Sequence, residues 1–123
     1  MAAEQLSFKL CISGYRKFND RQIIERELKE VTKDITKPIV LLHGCCEGVD
    51  KTAEHIAKVW KWTIDPHPAD WSLGKKAGPM RNIIMANKAD LVLCFLHPQS
   101  KGTLQMVEYC QDHEIPCQVV HVN

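Results

Sequence analysis

The chain alternates short unbroken apolar runs with longer stretches in which apolar residues return every three or four positions. The runs read as strands and the stretches as helices. Strands are predicted over residues 7–12, 39–43, 62–65, 91–96 and 115–121. The second and fourth have no polar interruption through Ile39-Val40-Leu41-Leu42 and Leu91-Val92-Leu93-Cys94-Phe95-Leu96, which suits parallel strands covered on both faces.

Four helices fill the intervals. Asn19 with Gln22 forms a capping box and Phe18 with Ile23 a hydrophobic staple, ahead of Ile24, Leu28, Val31 and Ile35 on one face, so the first helix is predicted over about residues 20–34. Asp50 is the predicted N-cap of the second, whose inward positions are Ala53, Ile56, Ala57 and Trp60. Pro79 at the first helical position after Gly78 starts the third, which should carry Met80, Ile83 and Ile84 toward the core and end near Asp90. The fourth is predicted from about Thr103, with Leu104, Val107 and Gln111 along one face.

Strands alternating with helices predict the α/β class: a parallel sheet of about five strands flanked by about four helices, in three layers with right-handed crossovers. With 123 residues and 45% apolar composition, the chain is expected to form a single domain over residues 1–123. Ligands in such sheets bind beyond the carboxyl ends of the strands. The segments gathered there are residues 13–16, 44–50, 68–81 and 97–103, which hold most of the glycines and unusual polar residues.

The formal net charge of +1 supplies no global field toward nucleic acid or a membrane. The first five residues lack the basic and then apolar build-up of a signal peptide, and no apolar run approaches bilayer length, so the expected location is cytoplasmic. Cys11, Cys94 and Cys117 fall in or beside apolar runs and are expected to be free thiols in a reducing compartment. His43, Cys45 and Cys46 do not have structural zinc spacing, and neither a metal nor a cofactor is expected.

The stretch Gly44-Cys45-Cys46-Glu47-Gly48-Val49-Asp50 reads as a tight strand-to-helix turn. Its glycines let backbone N–H groups approach a ligand, and the following helix start favours an anion. Gly102 and Thr103, with Lys101 beside them, offer a second helix start to a phosphate. Arg81 and Asn82 sit in a first helical turn, where a cation opposes the dipole and a phosphate or carboxylate would offset that cost. Arg16 suits a bidentate phosphate contact, and Tyr15 a base stack. Asp70 and Trp71 suit a ribose hydroxyl and a base; Glu47 and Asp50 suit ribose hydroxyls or, in an enzyme, assistance to glycosidic cleavage. Each has a structural alternative: surface solvation for Arg16, loop packing for Trp71, and helix capping for Asp50 and Thr103.

Taken in order, Ser13-Gly14-Tyr15-Arg16, Gly44 to Asp50, Pro68-Ala69-Asp70-Trp71, Ala77-Gly78-Pro79-Met80-Arg81-Asn82 and Gly102-Thr103 resemble the YspA-related branch of the SLOG superfamily. That Rossmann-like group also contains the LOG phosphoribohydrolases and the DNA-uptake protein DprA. The resemblance implies a nucleotide or nucleotide-derived ligand at the carboxyl edge, touching Ser13, Gly14, Tyr15, Arg16, Gly44, Glu47, Gly48, Asp50, Asp70, Trp71, Gly78, Arg81, Asn82, Lys101, Gly102 and Thr103. LOG enzymes carry Pro-Gly-Gly-x-Gly-Thr followed closely by a glutamate. Here the loop reads Pro98-Gln99-Ser100-Lys101-Gly102-Thr103-Leu104-Gln105, so two glycines and the acid are missing.

The leading expectation is therefore a small nucleotide-ligand-binding protein, acting as a sensor or by sequestration. The enzyme alternative is hydrolysis of an N-glycosidic or phosphoribosyl bond, with Glu47, Asp50 or Asp70 as the participating acid. A DprA-like nucleic-acid or protein-interaction module is the third reading, and Lys75, Lys76, Arg81 and Lys101 make only a modest basic group for it. Relatives and the tryptophans Trp60 and Trp62 point to a homo-oligomer, and no membrane partner is expected.

Overall fold

A computed structural model describes residues 6–123; the N-terminal segment read for a signal peptide lies outside them. The chain runs β1 (Phe8–Gly14), α1 (Arg21–Thr32), β2 (Ile39–His43), α2 (Val49–Val59), β3 (Thr63–Pro66), a 3-10 segment (Trp71–Lys76), α3 (Ala77–Lys88), β4 (Leu91–Leu96), α4 (Lys101–Asp112) and β5 (Cys117–His121). The five strands form one parallel sheet in the order β3-β2-β1-β4-β5. β1 is central, with Cys11 paired to Leu42 on one side and Val92 on the other.

Alternation along the strands feeds two cores. Leu10, Ile12, Leu41, Leu93 and Phe95 pack under Ile24 and Leu28 of α1 and Ala53, Ile56 and Ala57 of α2. Cys11, Leu42, Val92 and Cys94 face Met85 and Ala86 of α3 and Met106, Val107 and Cys110 of α4. The sheet is thus covered on both faces, which is why β2 and β4 carry no polar positions except His43. The chain order reverses between β1 and β4, and such a switch point opens a crevice at the carboxyl ends of those two strands.

Several local expectations are corrected. The N-cap of α1 is Asp20, not Asn19: its carboxylate accepts from the Ile23 N–H at 3.2 Å, and a full negative charge is favoured at that helix end. Gly48, not Asp50, caps α2, because the chain reverses at a φ of 80° and frees the Asp50 side chain to fold back over the turn. α3 starts at Ala77, directly from the 3-10 segment, leaving Pro79 third, where its missing N–H costs nothing. Met80 and Ile84 of that helix are 45% and 54% exposed. The inward positions are instead Gly78, Asn82, Met85 and Ala86, so the helix is turned to bring Asn82 inward. α4 starts at Lys101 rather than Thr103, and its inward face is Thr103, Met106, Val107 and Cys110, leaving Leu104 and Gln111 exposed. Trp60 and Trp62 are half-buried, meet edge to face at 5.1 Å and pack against the core.

Candidate functional site

A cavity of about 350 Å³ opens at the switch point. Its walls come from the end of β1 and the loop after it (Ser13, Gly14, Tyr15, Arg16), the turn after β2 with the start of α2 (Gly44, Cys46, Asp50), the 3-10 segment with α3 (Trp71, Lys75, Gly78, Pro79, Arg81, Asn82, Met85), and the approach to and start of α4 (Gln99 to Thr103). Four cations line it against one carboxylate, Asp50. Of the sequence-derived residues, Glu47, Gly48 and Asp70 do not line it. Glu47 is exposed on the turn, and the Asp70 carboxylate accepts from the N–H and hydroxyl of Ser72 at 3.2 and 2.6 Å to cap the 3-10 segment.

The turn after β2 is not an open anion cradle. Asp50 Oδ2 accepts from the N–H groups of Gly44 (2.9 Å) and Cys46 (3.3 Å), while His43 Nδ1 accepts from the Cys45 N–H at 3.0 Å. All three amides are consumed by the protein's own side chains. The glycines there answer to packing. A Cβ at Gly48 would lie 2.3 Å from the Arg16 carbonyl oxygen, and one at Gly14 2.5 Å from the Val49 side chain.

Asp50 is only 4% exposed. Burial pushes its carboxyl up to about 6; the two N–H donors, Arg81 and Lys51 pull the other way without restoring the ordinary value. Its other oxygen, Oδ1, has no hydrogen-bond partner among the described residues. His43, fully buried, donates from Nε2 to Glu54 at 3.2 Å, and burial lowers its pKa, so the ring is held neutral with its proton on Nε2.

Arg81 spans the site. Its Nη1 donates to the carbonyl oxygens of Gly44 (2.5 Å) and His67 (3.2 Å), and its Nε to Asn82 Oδ1 (2.9 Å). Asn82 in turn donates to the Gly102 carbonyl and to Gln105 Oε1, tying α3 to α4. Gln105 therefore acts as an acceptor behind the wall rather than as an acid in the cavity. Tyr15 stacks on His97 at 4.0 Å and 10°, and its hydroxyl donates to Gln99, so one ring face is already covered. Trp71, in contrast, is 62% exposed, with its ring edge 3.5 Å from where a Gly78 Cβ would be; it is not a loop plug.

The start of α4 differs from the β2 turn. Its N-cap, Ser100, uses its hydroxyl on the His97 N–H and carbonyl, leaving the first-turn amides of the helix with no side-chain cap. Thr103 is third in the helix and 4% exposed, and its hydroxyl has no hydrogen-bond partner among the described residues although it lines the cavity. Arg16, Lys75 and Lys101 form no ion pair there either. Sequence reasoning missed Cys46, Pro79, Met85, Gln99 and Ser100 as lining residues, and placed Lys75 only in a surface basic group. Cys46, Pro79, Gln99 and Ser100 lie in the edge segments 44–50, 68–81 and 97–103; Met85, outside them, stands one helical turn beyond Arg81 and Asn82.

Among the described residues no group of three or more His, Cys, Asp and Glu side chains is placed to hold a metal, and no helix is long and apolar enough to cross a membrane. Residues 8–74 match the family model described as the YspA, cpYpsA-related SLOG family. The match covers more than half of the chain. The protein belongs to this SLOG family. Comparison with curated proteins and with solved structures gives no match. The SLOG match includes the loops at 13–16, 44–50 and 68–71, whereas Arg81, Asn82 and the α4 start lie beyond it and enter the site through the fold.

Proposed function

We propose that this SLOG-family protein binds a nucleotide or nucleotide-derived small molecule in the switch-point cavity, with its phosphate at the start of α4. One observation carries the reading: an uncapped helix start and a Thr103 hydroxyl with no hydrogen-bond partner among the described residues belong to the wall of a cavity lined by four cations. Such a start supplies N–H donors and the positive dipole end, and Thr103 adds a hydroxyl donor. Arg16, Lys75 and Lys101 supply charge, and exposed Trp71 supplies a stacking face for a base. Cytoplasmic residence fits six free thiols. Calorimetry against a panel of nucleoside phosphates, ADP-ribose and cyclic nucleotides tests the reading: binding by at least one member is expected, weakened by Thr103→Val. No binding by folded protein removes it.

Asp50 favours a second reading. It is the one carboxylate lining the cavity, and a carboxyl raised to about 6 can serve as a general acid in N-glycosidic hydrolysis. Chromatographic release of free base from a nucleotide, abolished in Asp50→Ala, supports it. Intact nucleotide after prolonged incubation excludes it.

A further inference from the structure

Two places at this cavity gather backbone N–H groups, and only one is available to a ligand. At the α4 start the amides and the Thr103 hydroxyl are unclaimed. At the β2 turn, Asp50 Oδ2 has taken the Gly44 and Cys46 amides. Asp50 thus occupies the second cradle as a built-in anion. Asp50 lines the cavity, and its Oδ1, with no hydrogen-bond partner among the described residues, asks for a donor such as a hydroxyl or amine and repels another oxyanion.

Arg81 is tied mainly to the turn. Its Nη1 donates to the Gly44 and His67 carbonyls and its Nε to Asn82, its Nη2 makes only a 4.0 Å contact with Cys46 Sγ, and its charge acts on Asp50, whose carboxyl it pulls down. The lining cations with no such ties are Arg16, Lys75 and Lys101, none of them in an ion pair among the described residues. The cavity, at about 350 Å³, lies at the small end of the ~300–1,000 Å³ span of ligand pockets, room for one nucleoside-sized body rather than two.

We infer that the cavity selects a ligand with one phosphate monoester and a hydroxyl donor, and discriminates against ligands that bring a second phosphate toward the Gly44–Cys46 turn, with Asp50 as the residue that sets the rule. The inference rests on the nucleotide-binding reading above and narrows it. Monophosphates seat their anion at the α4 start and give a ribose hydroxyl to Asp50 Oδ1. Diphosphates and ADP-ribose must bring extra charge against Asp50 or leave it in solvent.

The test is calorimetry at pH 7.5 with the 5′-monophosphates and 5′-diphosphates of the ribonucleosides and with ADP-ribose. The wild type should bind its best monophosphate at least about tenfold more tightly than the matching diphosphate or ADP-ribose, the scale of one unscreened charge contact. Asp50→Asn keeps an acceptor for the two amides and removes the charge, so the gap should shrink severalfold. Thr103→Val should weaken both classes together and leave their ratio alone. A diphosphate or ADP-ribose bound as tightly as the monophosphate by wild type overturns the inference while leaving nucleotide binding intact, and so does an unchanged ratio in folded Asp50→Asn. If that variant does not fold, the wild-type ratio decides alone. Absence of binding by every nucleotide removes both readings.

Discussion

Arg81 Nη1 donates to the Gly44 carbonyl at 2.5 Å, and a Cβ built on Gly44 would lie 2.5 Å from the same nitrogen. The glycine after β2 is therefore the seat of an arginine from α3, 37 residues later in the chain. Gly44→Ala should displace the guanidinium from both carbonyls and cost about 1–3 kcal/mol, the scale of hydrogen bonds to a charged group. Gly48→Ala should cost more, because its neighbour is the Arg16 backbone and its φ of 80° disfavours a side chain. Urea denaturation of the two variants checks the order; equal losses would contradict it.

Gly102→Ala should separate folding from binding. Nothing lies within 4 Å of a Cβ there, and alanine is the better helix former by about 1 kcal/mol, so the melting temperature should hold or rise. The added methyl stands at the proposed phosphate position, and nucleotide affinity should fall. Loss of stability in a thermal melt would show that residue 102 is packed, not open.

Asp50 makes stability fall as pH rises. Its folded pKa, about 6, exceeds its ordinary value of 3.8, so between these values the folded protein holds a proton that the unfolded chain has released. The stabilising share is present at the acid end and is lost as pH climbs to about 6, an effect on the order of 3 kcal/mol for this group. Asp50→Asn should be more stable than wild type at pH 7, with the difference closing toward pH 4. A difference independent of pH in denaturant titrations would contradict this.

The thiols should rank by environment. Cys117 and Cys94 share a thiol hydrogen bond at 3.9 Å, and hydrogen bonding with Cys94 and Cys110 lowers Cys117 to about 7 despite burial, whereas burial raises Cys45. Limiting iodoacetamide at pH 7.5, read by peptide mass spectrometry, should modify Cys117 before Cys45 and leave Cys11 and Cys94 untouched. Faster labelling of Cys45 would be the contrary result.

The sheet was legible where burial on both faces erased polar positions: β2 and β4 occupy the spans their apolar runs mark. Helix phase was less so, because Met80, Ile83 and Ile84 offer a face as apolar as the one α3 uses, and the choice follows from Arg81 and Asn82 reaching into the site. Capping failed at Asp50 for a related reason: a short acid near a helix start can serve its own helix or the preceding turn, and the reversal at Gly48 decides for the turn. Loops at the carboxyl edge were readable from the alternation of strands and helices, and Tyr15, Gly44, Arg81 and Thr103 do converge. Gln99, Ser100 and Cys46 lie in the edge segments 97–103 and 44–50, yet nothing in their local sequence singles them out as lining residues.

The most direct measurement is a ¹H–¹⁵N correlation titration of the folded protein with its best-bound nucleoside monophosphate. An anion at the start of α4 should move the amides of Lys101, Gly102 and Thr103 most, together with the Trp71 indole, while the Gly44 and Cys46 amides, held by Asp50, shift less. Largest shifts at Gly44 and Cys46, with the α4 start unmoved, would contradict the account.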